Sequence, residues 1–540
     1  METLEEKFKN MHLLDRGERI KLTNELNIQK PEFLGPYVPN WWWWRRCRVN
    51  VLIACDGGLN FGIGGFDLSE FLTTFNELEA RSWVDYRVTL AHRGAIINSA
   101  NPVVVNHISG FNFDTSVNLD DFDQVWLFGI QSGGSISNAE INAIEAYMDG
   151  GGGLFATGDH GSLGRAMCGN IPRVSEMRYW DNTPVGSTNA TNEVSMNGRR
   201  RNDTNTPRPG NATATTFDHQ SDDYPQQIAV RTFGGGLPHP LLSIKTSVRP
   251  SGIIDIMPDH PHEGECASET SFTVNGVTIP TQIIATSFVN GGNISGSKSP
   301  TDPHCFPSIS VWDGRPANVG RIVIDSTWHH FVNINLNGAG SAQSGLTNPD
   351  WEVIRQYFMN IATWMNRRRF FLCLRPYLVY ELLRDSQIIE ASLNNPGESI
   401  EDISIADLNS IGSLAEEILA EKFTPCFARY FLLDTIEEYS KEYCEMMNCW
   451  APEINEKSEQ KEKADDYYTG WLNLDLVLHT AIGAGFIALR DNKKMSTDDA
   501  SEKDLEMVSE TFLSGIKLGF NKSLDNLNNK FNGFAKTMRM

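Results

Sequence analysis

A chain of 540 residues with 40% hydrophobic content is too long for one ordinary core and predicts two or three domains, each large enough to fold without staples. Its formal net charge of -22 repels polyanions. That excludes nonspecific nucleic-acid binding and adhesion to an anionic membrane as main activities, and any anionic ligand needs a local basic pocket.

Nine cysteines, scattered from Cys47 to Cys449, give neither a dense disulfide framework nor paired CxxC zinc spacing, so reduced thiols are expected. Met1 to Asn10 is charged and lacks the apolar core of a signal peptide, which predicts a cytoplasmic location. Residues 1–47 read as a polar, helical leader ending in Trp41-Trp42-Trp43-Trp44-Arg45-Arg46. Four consecutive aromatics cannot share one side of a regular element; they form either a lid over a sheet edge or a docking patch for a partner.

From Arg48 apolar runs alternate with amphipathic helices, the pattern of a parallel sheet covered on both faces. Val49 to Ala54 predicts the first strand, followed by the glycine-rich loop Gly57 to Gly65. A helix is expected from Asp67, where Asp-Leu-Ser-Glu has the form of a capping box and Leu68, Phe71, Leu72, Phe75 and Leu78 share one face. Further strands are expected at Val84 to Leu90, Val125 to Ile130 and Leu154 to Thr157. Ser137-Asn138-Ala139-Glu140 is a second capping box, opening a helix that the run Gly150 to Gly153 ends.

Residues of about 182–223 form a polar insertion rich in Asn, Thr, Gly and Arg, including Arg199-Arg200-Arg201; loops of that length are functional or disordered. Strands return at Gln227 to Thr232, Ile253 to Met257, Thr281 to Phe288 and Arg321 to Ile324. A helix after Asn348-Pro349-Asp350 carries Trp351, Ile354, Phe358, Ile361 and Met365 at helical spacing, with Arg367 to Arg369 suited to its negative end. The domain so bounded is 48–369.

Residues 370–540 predict an all-helical domain that docks on the α/β core or on a second chain. Ile405 to Leu419 and Leu474 to Phe486 mark two of its helices. The stretch Trp471 to Leu489 approaches membrane length but carries Asn473, Asp475 and His479, which makes it a buried bundle helix and not a span.

Asp56 at the end of a strand, the strand Val125 to Gly129, a capped helix and Gly151-Gly152-Gly153-Leu154-Phe155-Ala156-Thr157-Gly158-Asp159-His160-Gly161 follow one another in order. This series resembles the class I glutamine amidotransferase-like superfamily, particularly its trehalose-utilisation (ThuA-like) branch, over residues 48–366. The resemblance implies a flavodoxin-like parallel sheet flanked by helices. It also implies a cysteine nucleophile at the tight turn, where Gly158-Asp159-His160-Gly161 stands instead; Cys168 lies too far along, so thiol-dependent ammonia transfer from glutamine is not supported. The superfamily's later histidine has its counterpart near Asp325-Ser326-Thr327-Trp328-His329-His330.

In open α/β sheets ligands bind beyond the carboxyl ends of the strands. Asp56, Asp159, His160, Asp325, His329 and His330 all follow predicted strands and are expected to line one pocket, together with Met257-Pro258-Asp259-His260-Pro261-His262-Glu263-Gly264-Glu265. In extended backbone His260 and His262 point to one side, a candidate ligand pair for a divalent metal, zinc or manganese, with Asp159 and His330 completing the sphere. Adjacent His329 and His330 point apart, so one of them reaches the site. Asp159, His160, His329 and Glu263 are the candidate acid/base groups. Asp56, Gly57, Gly58 and Arg199 are the candidate substrate contacts. The glycine-rich loop lacks the Lys of a Walker motif, and Asp67 replaces the last glycine of GxGxxG, so it reads as a flexible ligand-facing loop.

Two functions follow. One is a hydrolase-like enzyme, metal-assisted or metal-free, acting on a small polar, sugar-like or anionic molecule. The other is a degenerate binding or scaffold module that engages a protein partner or a second copy through its helical region. Loop histidines that only satisfy backbone hydrogen bonds would fit the second.

Overall fold

The computed structural model describes residues 47–81, 84–159, 161–180, 222–232, 238–259, 264–289, 304–340, 345–383, 385–393, 399–422, 428–429, 431–432, 435, 474–491 and 502–538. They fall into two compact units, Arg48–Arg368 and a second in which Cys47 joins residues from Arg369 onward. Trp41 to Trp44 and most of the polar insertion, with Arg199, lie outside the described residues.

The first unit runs β1 (Cys47–Cys55), α1 (Ser69–Arg81), β2 (Val84–His92), β3 (Val104–Ser109), β4 (Gln124–Phe128), α2 (Asn138–Asp149), β5 (Gly153–Thr157) and the single turns α3 (Arg165–Cys168) and α4 (Val174–Met177). It continues with β6 (Asp222–Gln227), β7 (Ala229–Val230), β8 (Ile256–Asp259), β9 (Ser271–Val274), β10 (Val277–Pro280), β11 (Gln282–Val289), β12 (His304–Trp312), β13 (Ile322–Asp325), α5 (Asn333–Leu336) and α6 (Asn348–Trp364). Nine strands form one sheet in the order β3-β2-β1-β4-β5-β13-β12-β11-β7.

The sheet is mixed and not parallel throughout. The pairs β2–β3, β1–β4, β4–β5 and β5–β13 are parallel, whereas β12, β11 and β7 continue it antiparallel. The expected strand Gln227 to Thr232 is two pieces, β6 and β7, and β6 pairs with β8 outside the main sheet. Strand β12 shows no unbroken apolar run because the buried Ser308 and Ser310 alternate with Ile309 and Val311.

Continuous apolar sequence puts β4 and β5 at the centre, buried at every position. Phe71 of α1 sits over them, its ring within 5.5 Å of Trp126, Phe128, Phe331 and Phe358. Truncating so buried an aromatic costs about 3–5 kcal/mol.

Helix α2 opens with the capping box expected of Ser137 and Glu140, each side chain accepting from the other's backbone N–H. The glycines that end it have separate duties. Gly151 takes φ +89°, a Cβ at Gly152 would lie 2.2 Å from the Tyr147 ring, and one at Gly153 would lie 2.1 Å from the Met365 carbonyl. At the end of α6 it is Arg321, from the sheet, that bonds the Trp364 carbonyl (2.7 Å). Arg367 instead reaches the Gly150 carbonyl.

Helix α1 begins at Ser69, not Asp67. Asp67 Oδ2 accepts from Gly64 N–H (2.7 Å), folding back on the glycine-rich loop, and the α1 donor Glu70 N–H goes to Asn333 Oδ1 (2.9 Å). Asn333 Nδ2 also donates to the carbonyls of Gly62 and Gly64. The loop expected to be flexible is thus tied down by a residue 269 positions beyond Gly64.

The second unit holds α7 (Arg368–Leu383), α8 (Ser386–Leu393), α9 (Ile405–Lys422), α10 (Leu474–Asp491) and α11 (Glu502–Met538). Cys47 is disulfide-bonded to Cys373 of α7, which corrects the expectation of uniformly reduced thiols; Cys55, Cys168, Cys266 and Cys305 are free. Helix α10 lies between α9 and α11 with Val477, Leu478, Ala481 and Ile482 buried. Glycines set the approach. A Cβ at Gly412 would lie 2.0 Å from the His479 carbonyl, one at Gly483 1.9 Å from the Leu408 carbonyl, and one at Gly515 2.6 Å from the Ala484 carbonyl. Among the described residues no helix is long and apolar enough to cross a membrane.

Candidate active site at the carboxyl edge of the sheet

Register brings the strand ends level. Cys55 pairs with Phe128, Phe128 with Thr157, and Thr157 with Asp325. The residues that follow, Asp56, Gly129, Gly158 and Ser326, therefore emerge along one edge, and two groups of polar side chains form there.

The first group joins β5 to β13. Asp159 accepts from the Thr327 hydroxyl through Oδ1 (2.9 Å) and presents Oδ2 to His329 Nε2 at 3.5 Å. The other ring nitrogen of His329, Nδ1, stands 3.3 Å from Asn335 Oδ1. With Asn335 accepting, the proton sits on Nδ1 and the Nε2 lone pair faces the carboxylate side. Thr327 also caps the turn holding the histidine, accepting from His329 N–H (3.1 Å). Trp328 stacks on His329 with centroids 3.8 Å apart, and Phe66 of the glycine-rich loop meets both rings edge-on. Asp159 and His329 are 0% and 2% exposed, and Phe66, itself 38% exposed, is the outermost of the three rings.

Arg178 holds this group from beneath. Its fully buried guanidinium donates to the carbonyls of Asp159 (2.5 Å), Ser326 (2.7 Å) and Tyr179 (3.0 Å) and lies over the Trp180 ring at 4.6 Å. Burial pulls its pKa down, while Cys266 and Asp159 act to raise it. A fork of rigid donors suits three fixed carbonyls better than a lysine would. Sequence reading missed Arg178 because nothing in its own segment marks it.

His330 turns the other way from its neighbour. Its Nδ1 lies 2.8 Å from Asp325 Oδ1, and Tyr357 donates to Asp325 Oδ2 (2.9 Å), all three residues being fully buried. Burial, then Asp325, pushes the Tyr357 hydroxyl well above its usual range. This trio faces the core under α6.

The second group stands at the ends of β1, β2 and β4. Asp56 Oδ1 accepts from the backbone N–H groups of Ile130 (2.7 Å) and Gln131 (3.0 Å), bridging β1 to the turn after β4. Burial raises its carboxyl, with the two N–H donors and the nearby His92 and Arg93 opposing. Arg93 pairs with Glu140 at 2.5 Å. Gly57 takes φ +59° at the start of the loop, and a Cβ there would strike Ile130. Gly58 has open space around it.

Of the predicted site residues, the structure brings Asp159 and His329 together. It sets His330 on Asp325, and Asp56, Gly57 and Gly58 two strands from Asp159. His160, His260, His262, Glu263 and Arg199 lie outside the described residues. Among the described residues no three His, Cys, Asp or Glu side chains group as metal ligands. Asp159 itself follows β5 without the positive φ that a nucleophile elbow gives its nucleophile. Burial, then Asp56, raises the thiols of Cys55 and Cys168 well above the usual cysteine range, the condition of an inert thiol.

No family model and no curated protein matches this chain. Among solved structures, a ThuA-like protein from Bacteroides uniformis ATCC 8492 aligns over 62% of this chain and 95% of its own, at 11% identity and a TM-score of 0.26.

Proposed function

We propose that the protein is a hydrolase-like enzyme that acts by general acid/base catalysis on a small polar molecule, sugar-like or anionic, with Asp159 and His329 as the reacting pair. The observation that carries the reading is the Asn335–His329–Asp159–Thr327 chain at the sheet's carboxyl edge. The 3.5 Å between Nε2 and Oδ2 is long for a direct hydrogen bond and leaves one water or substrate hydroxyl able to contact both atoms. In the proposed step His329 Nε2 takes the proton of that water as its oxygen attacks, and the same nitrogen returns a proton to the leaving group. Asn335 holds the ring in the required tautomer. Asp159, fixed by Thr327, sets the water and faces the imidazolium that forms.

A flavodoxin-like core belongs to this reading. In the order β2-β1-β4-β5-β13 the strands reverse direction of addition at β1, and the ThuA-like branch is the relationship we favour. Asp159 and His329 would give a metal two donors. Further ligands would come from His260, His262 or Glu263, so no step is routed through zinc or manganese. A cytoplasmic location stands against the Cys47–Cys373 disulfide, since such bonds belong to oxidising compartments.

The second reading, a binding or scaffold module with a protein partner, is favoured by one observation: both reacting residues are buried, His329 against Phe66. A panel of p-nitrophenyl esters, glycosides and phosphates separates the two. The enzyme reading expects turnover of at least one class, reduced about 100-fold or more in Asp159→Asn and His329→Ala with unchanged unfolding midpoints. Turnover equal to wild type in both variants, or none with any class, sinks it.

A further inference from the structure

The indole of Trp328 is 3% exposed, and its Nε1 is buried without a hydrogen-bond partner among the described residues. That nitrogen carries a proton and can only donate. A buried donor left unmet is costly, and buried tryptophan N–H groups usually find an acceptor, so this one calls for an oxygen from outside the chain. Two contacts fix where that oxygen belongs. The indole lies on the His329 imidazole, ring centroids 3.8 Å apart at 29°. The backbone N–H of Trp328 donates to the carbonyl of Gly158 (2.8 Å), the residue before Asp159. Trp328 therefore touches one member of the reacting pair and is bonded beside the other.

The step proposed above has a base but no donor for the negative charge that builds on the substrate as water attacks, and such donors are among the largest contributions to hydrolysis. In an acyl compound the attacking oxygen and the carbonyl oxygen end on one carbon, so the groups that hold them must be neighbours, as two stacked rings are. Other bond classes fit these residues less well. A phosphate brings charge that is met by cationic clamps, and the Arg178 guanidinium is spent on three carbonyls. A glycosidic bond is cut between two carboxyl groups; here Asp325 faces His330 and Tyr357 in the core, and Asp56 is tied to the turn after β4.

We infer that the Trp328 Nε1–H group is the oxyanion donor of the site and that the bond it serves is an acyl bond, an ester of a small polar molecule. The inference rests on the Asp159 and His329 chemistry of the proposed function. The water oxygen bonds to the carbonyl carbon, its proton passes to His329 Nε2, and the π pair moves onto the oxygen held by Trp328. That pair then re-forms the double bond, the bond to the alkoxy oxygen breaks, and the leaving alkoxide takes the proton from His329. A carboxylic acid and an alcohol result.

The test titrates the full chain, labelled with 15N-tryptophan, with trifluoroacetone, whose hydrate imitates the tetrahedral intermediate and has no bond to hydrolyse. The Trp328 indole resonance is the one missing from Trp328→Phe, which keeps an aromatic ring on His329. The expected result is a saturable shift of that resonance, with affinity lowered about ten-fold or more in the variant. With p-nitrophenyl acetate, Trp328→Phe should lose about 100-fold in kcat while KM stays within about three-fold of wild type. The pH midpoint of its residual rate should be that of wild type, because His329 is untouched. No saturable shift up to about 10 mM ligand, as expected if the N–H rests on the Phe66 ring or on a water, overturns the donor, and so does a wild-type kcat in Trp328→Phe. Turnover of p-nitrophenyl glycosides or phosphates and not of the acetate, lost in His329→Ala, would overturn the acyl assignment and leave the proposed function standing. A saturable shift with no turnover of any class upholds the donor and removes the proposed function.

Discussion

His239 shows how a single buried side chain writes itself into the pH dependence of folding. Burial depresses its pKa to about 3, and Nδ1 accepts from Leu241 N–H while the ring packs edge-on against Trp364. Below the unfolded-state value of about 6.5 the unfolded chain binds a proton that the folded chain refuses. The contribution of His239 is thus fully present above about 6.5 and falls as pH drops toward 3, with a limiting slope of about 1.4 kcal/mol per pH unit. Urea denaturation between pH 7 and 5 should show this slope, and His239→Asn, which keeps an acceptor for the turn, should flatten it. An unchanged slope in the variant would remove His239 as the cause. The same scale explains what the sequence concealed. Asp159 and His329 were legible because each directly follows an apolar strand run. Arg178 was not, because its place is defined by atoms far away in the chain, the Ser326 carbonyl lying 148 residues on; Asn335 was not, because its bond to His329 depends on the fold of the turn between them.

At the scale of elements, local signals held where no distant group competed for the same donor. Ser137 and Glu140 form the capping box their spacing predicts. The similar Asp67-Leu-Ser-Glu does not, because Asn333 takes the Glu70 N–H and the loop takes Asp67. The parallel strands β1, β2, β4, β5 and β13 were readable from apolar runs, whereas the parallel edge strand β3, with no position fully buried, and β12, where buried serines interrupt the run, escaped notice. The helical unit carries its own element-scale test. Substituting Gly483 by Ala would set a methyl 1.9 Å from the Leu408 carbonyl, a backbone atom that cannot yield without parting α9 from α10. Overpacking of this kind costs about 1–3 kcal/mol, so the variant should show a clearly lower thermal midpoint for the helical unit. Ala484→Gly on the same helix should not show overpacking, since it adds no atom. A Gly483→Ala midpoint equal to wild type would mean that the helices are not held in this close contact.

At the scale of the molecule, the acidic composition and the division near residue 369 were plain from sequence, since they depend on sums and on a change of periodicity. The pairing of Cys47 with Cys373 was not, because cysteine spacing carries no information about distance in space. Removing a native disulfide typically costs about 2–5 kcal/mol. Dithiothreitol should therefore lower the unfolding midpoint of the wild-type chain and leave a Cys47→Ser/Cys373→Ser double variant unmoved; equal sensitivity in both would rule out a stabilising bond. That one covalent link closes a ring of backbone around the entire sheet, the two cysteines standing 326 positions apart. A protease that cuts once anywhere inside the ring linearises it without releasing a fragment. The cleaved chain would keep its mass on a denaturing gel until reductant is added, so damage to the sheet-bearing unit would go unseen in any assay that does not break disulfides first.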